Sequence, residues 1–162
     1  MVFKKIQQYL FFILFSLFIF FPVNAADIQL NITTDIGDRA IFKQGDSVNF
    51  LLNLSEDAYL FVFYTDATGR IHRLLPEKHG TLFFSKAGWF LPVPGNDIKF
   101  IVSEPYGSEK ISILALSGVI KDQDKLYQKS GSISEIVSLY REYARSNSFN
   151  FGYSTKSIQT GP

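Results

Sequence analysis

In residues 47–54, SVNFLLNL, side chains alternate in character: Val48, Phe50, Leu52 and Leu54 fall on one side, Asn49 and Asn53 on the other. Only an extended backbone, which sends successive side chains to opposite faces, gathers those four apolar groups together. The same period returns in 58–65, AYLFVFYT, but there both faces are apolar. Tyr59, Phe61 and Phe63 share one face, and Leu60, Val62 and Tyr64 the other. A strand of that kind must be covered on both sides, so it is expected at the centre of a sheet. DIKFIVSE places Ile98, Phe100 and Val102 inward against Lys99 and Ser103, and KISILALS does so with Ile111, Ile113 and Ala115. Shorter strands are expected over 28–33, 40–43 and 70–75.

Turn chemistry separates these runs: Gly37-Asp38, Gly45-Asp46, Asp66 to Gly69, Pro94-Gly95-Asn96 and Pro105 to Gly107. Many short strands punctuated by Gly, Pro and Asp, without intervening helices, imply an all-β sandwich or barrel. Asp66 and His72 could face each other across the turn T-D-A-T-G. The turn itself is reason enough for the aspartate, whose carboxylate can accept bonds from turn amides, while Gly69 supplies a left-handed position. Residues 77–92 are the least regular stretch and are expected to fold Trp89 and Phe90 back over the core.

One segment changes period. SISEIVSLYREYARS sets Ile133, Ile136, Val137 and Tyr140 at i, i+3, i+4 and i+7, the apolar stripe of an amphipathic helix over about 132–146. Ser132, three residues before Glu135, provides a capping box. SFNFGYST then alternates Phe149, Phe151 and Tyr153 with polar residues, which predicts a last strand with an exposed edge. Residues 155–162 are expected to fray.

The chain starts with Lys4-Lys5, an uncharged run YLFFILFSLFIFF over 9–21, and PVNAAD. A basic start, a short apolar stretch and small residues at Val23 and Ala25 predict an export leader, residues 1–25, cut between Ala25 and Ala26. The run is short for a bilayer span, so no integral span is expected once it is removed. The product is then periplasmic or secreted, with one domain over 26–154. The 162 residues carry 16 basic and 15 acidic side chains without a charge run and no cysteine. Nucleic acid is not an expected partner, because phosphate contacts need clustered Lys and Arg. Without disulfides, stability must come from an apolar core.

Chemistry-bearing motifs are sparse. His72 and His79 are the two histidines, and no H-E-x-x-H or C-x-x-C spacing accompanies them, so no metal is expected. KDQDK at 121–125 has two carboxylates of a calcium loop but neither its glycine nor its closing Glu. No nucleophile elbow, S-x-x-K or phosphate loop occurs, and neither catalytic residues nor a cofactor are expected. Glycoside-cleaving carboxylate pairs are defined by space rather than spacing, which leaves an envelope hydrolase as the alternative. Asn31 and Asn53 begin glycosylation triplets and fall at outward strand positions. Most aromatics fall at inward strand positions and belong to the core. Trp89, Phe90 and Tyr106 stand outside the strands, and these three are the candidates for partner binding.

The order of elements resembles a family of bacterial exported domains catalogued as a domain of unknown function. The resemblance covers about residues 36–118. It rests on Gly45-Asp46, Ala58-Tyr59-Leu60, Asp66 to Gly69, Leu74 to Pro76, Ala87-Gly88 with Leu91-Pro92, and Pro105 to Glu109. It implies an immunoglobulin-like antiparallel β-sandwich of about seven strands, here with one appended C-terminal helix. It also implies envelope or secreted proteins, alone or beside signalling or protease-like domains, and brings no catalytic residue. The expected function is a non-enzymatic exported binding or accessory module that acts on a protein or cell-envelope polymer; a subunit of a secretion or surface apparatus is, like the envelope hydrolase, an alternative.

Overall fold

A computed structural model describes residues 27–35, 37, 41–78, 80–93, 95, 100–121, 127 and 131–162. In chain order its elements are β1 (Leu30–Thr34), β2 (Ile41–Lys43), β3 (Ser47–Val48), β4 (Phe50–Leu54), β5 (Ala58–Thr65), β6 (Ile71–Leu75), β7 (Phe84–Ser85), β8 (Leu91–Val93), β9 (Phe100–Ile101), β10 (Ser108–Leu116), α1 (Ile133–Ser146) and β11 (Phe151–Gly161). The leader with Ala25 and Ala26, His79, Ile98 and most of KDQDK lie outside the described residues. No helix among the described residues is long and apolar enough to cross a membrane.

The protein is mostly β, with several sheets and one helix near the C-terminus. The larger sheet runs β2-β11-β10-β5-β6, with β7 also on β5; the smaller runs β1-β4-β8, and β3 pairs with β9. β5 lies antiparallel to β10, Phe61 opposite Leu114 and Val62 opposite Ile113. The two faces of this central pair explain the rest of the architecture. Leu60, Val62, Ile111, Ile113 and Ala115 turn toward the smaller sheet and join Phe50, Leu52 and Leu54 in one apolar cluster. Phe61, Phe63, Leu114, Leu116 and Phe151 turn the other way, onto α1. A strand with two apolar faces needs two covers: the small sheet is one and the helix the other.

The helix seals its side with Ile136, Val137, Tyr140 and Ala144. The Tyr140 ring meets Phe61 edge-on at 4.8 Å between centroids. Such edge contacts add to what burial alone contributes. The Glu135 amide donates to Ser132 Oγ at 3.3 Å, as the capping box predicts. Glu135 Oε2, however, accepts from the Gly131 amide at 2.7 Å, one residue before the cap. Gly152, in β11, is set by close approach: a Cβ there would lie 2.3 Å from the Ile28 carbonyl oxygen.

Four expectations are corrected. Strand pairing is antiparallel except at the sheet margin, where β11 runs parallel to β2, Gln159 beside Ile41 and Gly161 beside Lys43. About seven strands were expected, and the described residues form eleven strand segments, several only two or three residues long. The irregular stretch 77–92 holds β7 and the start of β8. Most consequentially, residues 155–161 do not fray. β11 pairs with β10 from Phe151 through Gln159, buries Ile158 and Thr160, and then takes β2 on its far side. Polar composition hid this strand, because its outward positions are Tyr153, Thr155, Ser157 and Gln159.

Deleting residues 155–162 should therefore remove the partner of half of β10 and the only neighbour of β2 among the described residues. The expected outcome is loss of the cooperative denaturant transition, well beyond the ~0.5 kcal/mol typical of surface changes. An unchanged urea midpoint would contradict the pairing.

Candidate functional site

The three sequence candidates separate. Trp89 and Phe90 are 72% and 67% exposed. They do not fold back over the core, which corrects that expectation. Tyr106 packs against the cluster between the sheets, its hydroxyl buried without a hydrogen-bond partner among the described residues. It belongs to the core rather than to a surface patch.

The backbone that carries Trp89 and Phe90 is held at both ends. β7 pairs with Ala58 and Tyr59, and the Phe84 ring lies 5.3 Å from that of Tyr59. The Ala87 amide donates to Asp57 Oδ1 at 2.8 Å and the Gly88 amide to the Leu54 carbonyl at 3.0 Å. Asn53 Nδ2 reaches the Trp89 carbonyl at 3.4 Å, after which β8 joins β4. The segment thus straps the margin of the larger sheet to that of the smaller. The main-chain groups of Phe83, Ala87, Gly88 and Trp89 bond to the protein, while Leu82, Phe84, Trp89 and Phe90 stay exposed. Concentrated exposed apolar surface of this kind marks interaction sites.

A second feature lies at the other end of β5. Tyr64, Asp66, His72, Phe100, Ser103, Glu104 and Glu109 are among the residues lining a cleft of about 230 Å³. The hairpin and the Asp66–His72 facing pair, alternatives in the sequence, both occur. Asp66 Oδ1 accepts from the Thr68 amide, the Thr68 hydroxyl and the Arg70 amide at 2.9, 2.6 and 2.9 Å. Gly69 takes a φ of 86°, which closes the turn. Asp66 Oδ2 lies 3.0 Å from His72 Nε2. The Thr68 hydroxyl and then His72 hold the Asp66 carboxyl well below the usual carboxylate range.

Beneath this pair, Glu109 is only 6% exposed. Its Oε2 accepts from the Tyr64 hydroxyl and its Oε1 from the Thr160 hydroxyl at 3.1 Å. Burial, reinforced by Glu109, pushes the Tyr64 phenol far above its ordinary value, so it stays protonated and donating. Sequence reading missed this network, although a signal existed: Glu109 shares the strand parity of the inward Ile111, Ile113 and Ala115. The cleft is smaller than the roughly 300–1,000 Å³ of ordinary ligand pockets. Its carboxylates Asp66 and Glu109 spend their oxygens on groups of the protein itself. Among the described residues no three His, Asp or Glu side chains converge as a metal site would require.

Residues 41–117 match the family model described as "Domain of unknown function (DUF4384)". The chain therefore carries a DUF4384 domain over the interval that includes β2 through β10. No curated protein and no solved structure matches. The matched segment ends before α1 and β11, yet β11 completes the sheet around β10 and α1 covers its outer face.

The depressed Asp66 carboxyl gives a pH prediction. A carboxyl whose folded value lies below its unfolded value of about 3.9 stabilises the fold above that value and loses the contribution as pH falls below it. Urea midpoints measured from pH 6 to 2.5 should decline more steeply below about pH 4 in the wild type than in Asp66→Asn. Equal slopes would show that the turn does not discriminate the charged form.

Proposed function

We propose that the protein is an exported, non-enzymatic binding module that holds a protein or cell-envelope polymer through the strap that carries Trp89 and Phe90. The observation that supports this reading is the exposure of those two rings on a backbone pinned at both ends. Folding alone would bury them, since a large aromatic side chain gains about 1.5–3 kcal/mol by leaving water. A pre-ordered segment loses little freedom on binding, and a few aromatics usually dominate an interface. The same rings serve direct binding and binding within a larger secretion or surface apparatus.

The same reading takes the two facing sheets as an immunoglobulin-like sandwich. Its support is strand order: β1-β4-β8 corresponds to A-B-E of that fold, and β11-β10-β5-β6 to G-F-C-C′. On this correspondence α1 is an insertion between F and G. Export rests on the leader over 1–25. An envelope hydrolase centred on the cleft would draw on Asp66, Glu104 and Glu109, and two of these three have both oxygens bonded inside the fold.

The test is the pair Trp89→Ala and Phe90→Ala, alone and together. Thermal stability should stay within about 0.5 kcal/mol of the wild type, as for surface positions, while capture of partner from an envelope extract falls sharply. A stability loss in step with binding would return both rings to a structural role. A hydrolysed envelope product that disappears with Glu104→Gln would overturn the non-enzymatic reading.

A further inference from the structure

Residues 78–93, KHGTLFFSKAGWFLPV, carry no aspartate or glutamate in a chain with 15 acidic residues, and two of them are lysines. Apolar surface concentrates in the same segment. Eight large apolar side chains are exposed among the described residues, and four of them, Leu82, Phe84, Trp89 and Phe90, belong to this strap. The other four, Ile41, Ile101, Val119 and Tyr153, are scattered over the rest of the chain. Lys78 and Lys86 are exposed as well. Of the acids that adjoin the strap, Glu77 precedes it and Asp57 has one oxygen on the Ala87 amide.

The main chain under these side chains asks little of water. The Phe83 carbonyl accepts from the Leu60 amide at 2.8 Å, and the Thr81 amide donates to the Lys78 carbonyl at 3.3 Å. Phe84 and Leu91 pair with Tyr59 and Leu52. With the bonds at Ala87, Gly88 and Trp89, these let the segment approach a low-dielectric layer without stranding those polar groups in it. The polar side chains next to the rings are spent in the same way, since Asp57 and Asn53 bond the strap's own backbone. A sugar-binding platform would keep such groups free for the ligand's hydroxyls. Strand addition by a peptide needs unpaired main-chain groups in a row, and at Phe83, Ala87, Gly88 and Trp89 one is already taken.

We infer that the strap docks on the surface of an anionic lipid bilayer. Leu82, Phe84, Trp89 and Phe90 enter the boundary between headgroups and acyl chains, where the Trp, Phe and Leu side chains of interfacial proteins lie. Lys78 and Lys86 keep their ammonium groups at the lipid phosphates while their methylene stems follow the apolar side chains down. The lack of acidic residues over 78–93 suits an anionic surface, whereas an uncharged apolar partner would not call for it. This inference rests on the reading of the strap as the binding surface and names what its rings meet. The module's protein or polymer targets are then those presented at that surface.

Trp89 is the only tryptophan of the chain, so its fluorescence reports on the strap and not on the apolar run over 9–21, whose own affinity for lipid would dominate a sedimentation assay. The purified full chain is titrated with vesicles of phosphatidylcholine, alone and mixed equally with phosphatidylglycerol, with and without brominated acyl chains. With the anionic vesicles, Trp89 emission should shift to shorter wavelength and be quenched by the bromines. Phe90→Ala should weaken this response by about tenfold. Lys78→Glu with Lys86→Glu should weaken it by about twentyfold or more, with the urea midpoint unchanged. Emission that anionic vesicles leave unaltered up to millimolar lipid would overturn the inference, as would equal quenching by phosphatidylcholine alone. If vesicles have no effect while capture from a delipidated envelope extract still falls with Trp89→Ala, the strap binds a protein or polymer and not lipid. If neither responds, the strap is not the binding surface at all.

Discussion

The pairing of β5 with β10 is the constraint on which the rest of the molecule depends. Both strands are apolar on both faces over most of their shared length, and no single layer can remove both faces from water. Burying only the face toward the smaller sheet, and leaving Phe61, Phe63, Leu114 and Leu116 wet on the other, would forgo about 1.5–3 kcal/mol for each large side chain left exposed. The smaller sheet answers one face, the helix answers the other, and each is tuned to its side. The sheet-facing side is filled by Leu, Val and Ile; the helix-facing side is aromatic and meets Tyr140. Polar residues enter where this pair runs out of apolar ones, at Tyr64 and Glu109 on one face and Thr65, Lys110 and Ser112 on the other. The cleft beside Tyr64 and Glu109 is therefore a consequence of where the apolar run of this pair ends.

How much of this is legible in the sequence follows from how each residue signals. Strand periodicity located the core of β4, β5 and β10, and Val48, Phe50, Leu52 and Leu54 are all buried as their alternation implies. Helical period and the Ser132 cap located α1. β11 was legible only in its first half, because after Tyr153 its sole large apolar residue is Ile158. Its order comes from backbone pairing on two sides, which composition does not encode. Trp89 and Phe90 were legible as candidates but not as exposed. Outside periodic segments, apolar character says nothing about direction, and their orientation is set by Asp57, Leu54 and Asn53 gripping the backbone. Tyr106 looked equivalent to them and is packed inside.

The Asp66–His72 pair shows that two readings of one motif need not compete. The carboxylate closes a hairpin with one oxygen and orients the imidazole with the other. Glu109, far away in sequence, is brought beneath it by the register of β10 against β5. Its burial is tolerated because two hydroxyls donate to it, in keeping with the rule that a buried charge must be hydrogen-bonded. The domain recognised over 41–117 contains every member of that network except Thr160, which arrives on β11. The C-terminal strand thus completes a polar network as well as the sheet.

The central claim is that a rigid two-faced sheet carries an ordered strap whose aromatic rings are free. Native-state amide hydrogen exchange tests it across the whole chain at once. Amides of β5 and β10 should exchange only through global unfolding, at one common free energy. The Ala87 and Gly88 amides, bonded to the sheet margins, should be protected to a lesser but measurable degree. Exchange of β10 amides through local opening would contradict the claim that this pair organises the fold. Unprotected Ala87 and Gly88 amides would contradict the claim that the strap is ordered before it meets a partner.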